Sequence, residues 1–146
     1  MAIKLGMNCK AYRNTGNYAS PTWNEITNVK DLSLNLEASE ADVTTRGNNG
    51  WEAVVQTLKK ATIEFGMVWD TGDSDFTAIQ NAFFSNTSIE CAFMDGAIAT
   101  TGNQGLRATF MVTGFSRTEN LTEAVMANVT LKPTYATNAP EWMTVA

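Results

Sequence analysis

Five stretches of this chain carry apolar side chains at every second residue, and one carries them at helical spacing. Leu32, Leu34 and Leu36 alternate with Asp31, Ser33, Asn35 and Glu37. Ile63, Phe65, Met67 and Trp69 alternate with Thr62, Glu64, Gly66 and Val68. Ile89, Cys91 and Phe93 repeat the pattern, as do Leu106, Ala108, Phe110 and Val112, and then Val125, Ala127, Val129 and Leu131. Successive strand side chains point to opposite faces, so each stretch predicts a half-buried strand. The exception is Phe76, Ile79, Ala82 and Phe83, which share one helical face. It predicts a helix over about residues 74–86, capped by Asp73 or Ser74 and ended at Asn86. Strand clusters with a single helix predict an α+β, mainly β chain: an antiparallel β-sandwich or barrel, one flanking α-helix, and extended loop and terminal arms. No βαβ alternation is present, which argues against a doubly wound parallel sheet.

The 146 residues suit a single domain. Residues 1–21 read as an N-terminal arm with Tyr12 and Tyr18 as aromatic anchors and a short candidate strand over Lys4 to Lys10. Trp23 to Val29 reads as a short strand, and Ala41 to Thr45 as an extension of the Leu32–Leu36 strand past a bend. Arg46-Gly47-Asn48-Asn49-Gly50 is a loop tip, because Gly and Asn accept positive φ. Trp51 to Lys60 fits either an extended arm or a short helix. Residues 133–146, with Tyr135, Pro140 and Trp142, form a tail without periodicity. The Ile63, Phe65, Met67 and Trp69 strand is expected to pack its apolar face against the helix of Phe76, Ile79 and Phe83, since sequence neighbours usually pack together.

Composition narrows the chemistry. Hydrophobic residues make up 44%, enough for a packed core, while 20 Thr and 14 Asn favour strands and turns. There is no His, which removes imidazole triads, imidazole metal sites and the usual general base near pH 7. The net charge of −5 lies wholly in residues 70–146, so a basic footprint for nucleic acid is absent. No run of about 18 apolar residues suggests a membrane span, and the first residues lack a signal peptide's apolar core. A protein made and used from the cytoplasm is expected, which leaves the sequons at Asn86, Asn120 and Asn128 as chance matches. Cys9 and Cys91 read as free, buried thiols, with one disulfide as the alternative.

Val68-Trp69-Asp70-Thr71-Gly72 looks like the active-site loop of aspartic proteases, where two carboxylates share one proton. A chain this short would act as a dimer. The alternative is a strand end, a turn and an acidic helix cap. Asp70, Asp73 and Asp75 lack EF-hand spacing and are explained by the same cap. Gly47-Asn48-Asn49-Gly50 lacks the Gly-Lys-Ser/Thr of a phosphate loop, and Lys59-Lys60 is too short for a nucleic-acid patch. No cofactor is expected.

The order and spacing of residues 22–132 resemble the phage tail tube proteins, the major tail proteins of long-tailed bacteriophages, prophages and gene transfer agents. The resemblance is carried by Asn28-Val29-Lys30-Asp31-Leu32-Ser33-Leu34, by Ala41-Asp42-Val43-Thr44-Thr45-Arg46 and by Trp51-Glu52. It continues through Gln56 to Phe65, Trp69-Asp70, the helix ending Ala82-Phe83-Phe84, and Phe110 to Phe115 with the Val125 to Leu131 strand. Gln56-Thr57 departs from it, since a Gly often precedes the Leu-Lys stretch in that family.

The resemblance implies a structural virion protein, not an enzyme. It implies homohexameric rings stacked into a tail tube that encloses a tape-measure protein, meets tail terminator or baseplate proteins, and passes DNA without specific binding. It implies assembly in the host cytoplasm, a place in the virion tail and no membrane. On that reading the Val43 to Leu58 segment, with Arg46, Asn48, Asn49 and Trp51, is the ring-stacking loop. The terminal arms at Tyr12, Tyr18 and Trp142 are second candidates. Rings would close edge to edge through their sheets, and the lumen, expected to be negative, would be lined from Glu64, Glu90, Thr109 and Thr113.

Overall fold

A computed structural model describes residues 3–146. It contains eight strands: β1 Lys10–Asn14, β2 Trp23–Glu25, β3 Val29–Asp42, β4 Val54–Val68, β5 Ser88–Met94, β6 Gln104–Thr118, β7 Met126–Pro133 and β8 Glu141–Thr144. One helix, α1 Ser74–Ser85, precedes β5. All strands join one antiparallel sheet in the order β2-β1-β5-β6-β7-β4-β3, and β8 pairs with the first residues of β6. The sheet curls: Phe65 of β4 and Phe93 of β5 are three strands apart in that order, yet their rings lie 6.3 Å apart.

The alternating residues do what their spacing predicts. Ile63, Phe65 and Met67 of β4, Cys91 and Phe93 of β5, Leu106, Ala108, Phe110 and Val112 of β6, and Ala127, Val129 and Leu131 of β7 fill one core with Ile26 and Ala11. The helix adds Phe76, Ile79 and Ala82. Asp73 caps α1, its carboxylate accepting from the Phe76 amide at 3.0 Å, and Asn86 ends it with φ +56°. The helix backbone lies nearest β6 and β5, because β7 separates β4 from β6 and the Asp70–Asp73 turn carries the chain past it. Its Phe76 and Ile79 nonetheless share one core with Ile63, Phe65 and Met67 of β4, as sequence order suggested. Trp69 meets Phe76 edge-on at 4.8 Å and Phe115 at 6.0 Å.

Both ends of the chain are knitted into the sheet, which revises the picture of free arms. Lys4–Lys10 is not a strand; a single 3-10 turn at Gly6–Asn8 leads into β1, where Tyr12 is buried. The tail contributes β8, which occupies the edge of β6 in line with β7. Tyr12, Ala92 and Met94 form a second cluster on the opposite face of the sheet, covered by Ile98, Met143 and Val145. Asn103 fastens this cover: its side chain donates to the Ala97 carbonyl at 2.8 Å and accepts from Lys4 Nζ at 2.7 Å. Gly105 must be glycine, because a Cβ there would strike the Phe93 backbone. Cys9 is exposed and Cys91 buried, and the two are free thiols.

Candidate assembly surfaces

The most unusual feature is an arm. Beyond Ala61, β4 has no partner except β3, so Leu36–Asp42 and Val54–Lys60 form a two-stranded hairpin outside the sheet. The Trp51–Lys60 ambiguity thus resolves mostly as strand. Between Ala38 and Glu40 the register shifts, and the bulge sets Thr57 and Leu58 against one residue of β3. Both faces of the arm are exposed, yet it carries Leu36, Val54, Val55 and Leu58, with Val43 at its end. A lone hairpin is marginal in water, and apolar side chains grouped on it mark a contact surface.

The tip is built as its composition predicts. A 3-10 turn at Arg46–Asn48 is followed by Asn49 and Gly50 at φ +54° and +83°. The Thr44 hydroxyl and amide hold the Asp42 carboxyl below its usual range. Trp51 is 77% exposed, and Asn48 Nδ2 is sequestered with no acceptor among the described residues. Arg46, Asn48, Asn49 and Trp51 therefore sit together at the arm's end.

The terminal candidates are placed differently. Tyr18 lies under the guanidinium of Arg107, 3.8 Å from the ring centroid, and its hydroxyl donates to Glu141 at 2.9 Å. Burial, and then that hydrogen bond, raise the Tyr18 phenol above its usual pKa. Arg107 is itself buried; its Nε donates to Glu90 at 2.6 Å and another nitrogen to the Tyr18 carbonyl at 2.8 Å. It clamps the Asn14–Thr22 loop, β5 and β8 together. Trp142, in β8, is half exposed and donates to Gln104 at 2.9 Å. No periodicity in the sequence signals this clamp.

Glu64, Thr109, Thr113 and Glu90 share the sheet face opposite the core. Glu64 lies opposite Thr130, which faces the bulge at Thr113 and Gly114; Thr109 lies opposite Glu90. Glu90 is half-buried and neutralised by Arg107, with Asn14 donating to it at 3.1 Å, so it is not a free wall carboxylate. Glu37 and Glu64 on this face are balanced by Lys60 and Lys132. The Asp70 carboxylate accepts from the Gly72 amide at 2.9 Å inside its own turn, and Asp73 caps the helix that follows, which is the strand end, turn and acidic cap of the alternative reading. Asp75 is paired with Arg13 at 2.8 Å and with Asn24 at 2.8 Å. No group of His, Cys, Asp or Glu with metal-binding geometry occurs among the described residues.

Residues 13–135 match the family model of phage tail tube proteins. The chain belongs to the phage tail tube protein family. No curated protein matches it. Its fold is similar to three tail structures. One is the tail of an empty gene transfer agent particle with C6 symmetry, at 18% identity and TM-score 0.72, covering 99% of this chain and 100% of that one. Another is from the virion of a native gene transfer agent particle, at 14% identity and TM-score 0.73, covering 97% and 100%. The third is the SPP1 tail tube, at 13% identity and TM-score 0.72, covering 89% and 75%. This tail tube protein is thus a structural protein whose mainly β fold matches that of other tail tubes.

Proposed function

We propose that this tail tube protein closes into hexameric rings that stack into a hollow tube, a conduit for DNA in a virion tail assembled in the host cytoplasm. The observation that carries the reading is the arm: a two-stranded hairpin with exposed Leu36, Val43, Trp51, Val54, Val55 and Leu58 and no partner within its own chain. Stacking of one ring on the next gives that apolar surface a place to be buried. The tip residues Arg46, Asn48, Asn49 and Trp51 then bear on the neighbouring ring.

Ring closure uses sheet edges. The outer edge of β3 is unpaired along its length, and β5 stops opposite Met111, leaving Val112–Thr118 of β6 without a strand on that side. Open edges recruit strands, and six copies pairing edge to edge close a heterologous ring. The face bearing Glu64, Thr109 and Thr113 is assigned to the lumen: it is polar, and the described arginines lie away from it or are already paired. Within one protomer Glu37, Glu64 and Glu90 on this face stand against Lys60, Lys132 and Arg107, so the face itself is close to neutral rather than negative. A tape-measure protein inside the tube and terminator or baseplate proteins at its ends complete the assembly. Electron microscopy of concentrated protein tests the proposal: six-fold rings and tubes are expected, and only monomers at every salt concentration would overturn it.

A further inference from the structure

Asparagine is a chemically labile residue, and it reacts when the next residue's backbone nitrogen attacks its side-chain carbonyl carbon. Glycine in that next place eases the attack, because it has no Cβ to crowd the nitrogen and the widest backbone freedom. Of the 14 asparagines, Asn49 is the one that glycine follows. Asn49 and Gly50 are both exposed at the tip of the arm and both have positive φ. Nothing stands within 4 Å of where a Gly50 Cβ would lie.

The tip's hydrogen bonds pass these two groups by. The Asn48 amide donates to the Thr45 carbonyl and the Trp51 amide to the Asn48 carbonyl, both at 3.1 Å, and the Ala53 amide donates to the Thr44 hydroxyl at 2.9 Å. None among the described residues engages the Asn49 side chain or the Gly50 amide. Asp95-Gly96, the one aspartate followed by glycine, is built the opposite way. Its carboxylate accepts from the Gln104 amide at 2.9 Å, Gly96 is buried, and the Asn103 side chain fills the place of a Gly96 Cβ.

We infer that Asn49 is a site of spontaneous deamidation, and that its reaction limits how long a free subunit keeps a working arm tip. The Gly50 nitrogen gives up its proton and bonds to Asn49 Cγ. The Cγ–Nδ2 bond breaks, and ammonia carries off the side-chain nitrogen with that proton. Water then opens the five-membered imide. Addition at Cγ gives aspartate, and addition at the backbone carbonyl gives isoaspartate, with one extra methylene in the main chain. Nothing is oxidised or reduced. Either product puts a carboxylate on a neutral tip residue, and isoaspartate also moves Gly50 and Trp51 relative to Asn48. The loss of a working tip rests on the tip bearing on the neighbouring ring; the reaction itself does not.

Soluble protein held at pH 8, digested at intervals and sequenced by mass spectrometry, tests the chemistry. The peptide Gly47–Lys59 is expected to exchange NH for oxygen at Asn49 before any other asparagine reacts, with isoaspartate in excess of aspartate, and faster than at pH 6. Gly50→Ala should slow the exchange severalfold. Asn49 intact after other asparagines have reacted, or an unchanged rate in Gly50→Ala, would overturn the site. For the arm, partly aged protein is offered to growing tubes, and the pelleted tubes should be depleted of the modified chain relative to the supernatant. Equal entry of modified and unmodified chains would overturn the ageing of the tip. Fresh protein that forms no tubes would overturn the tube reading instead, and the mass measurement would still decide the site.

Discussion

The Asp75 carboxylate, 2% exposed in the first turn of α1, accepts from Arg13 Nε of β1 at 2.8 Å, joining the helix to a strand 62 residues earlier. Asn24 of β2 completes the carboxylate's shell. Removing one partner of a buried pair strands the other charge. Asp75→Ala is therefore expected to cost about 3–5 kcal/mol, measured by denaturant unfolding. A cost below about 1 kcal/mol, the range of exposed pairs, would show that water reaches Arg13 freely.

Phe76 is fully buried among Trp69 and Phe115, whereas Phe84, on the same helix, is 70% exposed. Phe76→Ala should destabilise by about 3–5 kcal/mol through the cavity it leaves, and so should Phe65→Ala in the β4 core. Phe84→Ala should change stability by no more than about 0.5 kcal/mol.

Arg107 holds the Asn14–Thr22 loop and β8 at once. Arg107→Lys keeps the charge but loses the planar fork and its stacking on Tyr18. Faster amide exchange in residues 14–22 and 141–146 is expected, with the β4–β7 core unchanged. Uniform loosening across the sheet would contradict a local clamp.

Cys91 is wholly buried, and burial pushes its thiol up to about 12 from 9.0. A thiol reagent at pH 8 should modify one cysteine in the folded protein, Cys9, and two after denaturation. The raised value also fixes a sign. The unfolded chain loses the Cys91 proton first, so stability should fall as pH rises from about 9 to 12, by about 1.4 kcal/mol per unit. Cys91→Ala should flatten that slope.

Deleting Gly47 to Gly50 removes the arm's tip without touching the core. The far-ultraviolet spectrum and unfolding midpoint should match the parent, and tube growth should be lost. Tubes of normal length would assign stacking elsewhere.

The core strands and the helix were legible because burial on one face leaves a period in the sequence. Ile63, Phe65 and Met67, or Phe76 and Ile79, are apolar where the core is. The arm was less legible, since neither of its faces is buried within the chain and Val54-Val55 breaks alternation. Its tip was readable through Asn49 and Gly50, whose backbone needs leave a residue signature. Strands β1 and β8 were missed as such because they are held largely by backbone pairing to a neighbour, which selects few side-chain types. Glu90 read as a wall residue because its strand position is outward. Its partner Arg107 holds an outward position in β6, and the two neutralise each other beside Tyr18, a pairing that no spacing in the sequence announces.

A hairpin that projects beyond its own sheet is also a hazard to the free subunit. Leu36, Val54, Val55 and Leu58 stand exposed beside the unpaired outer edge of β3, the combination that invites unwanted strand addition. Glu37, Glu40, Lys59 and Lys60 interrupt that apolar run on both strands, and charges so placed act as gatekeepers against aggregation.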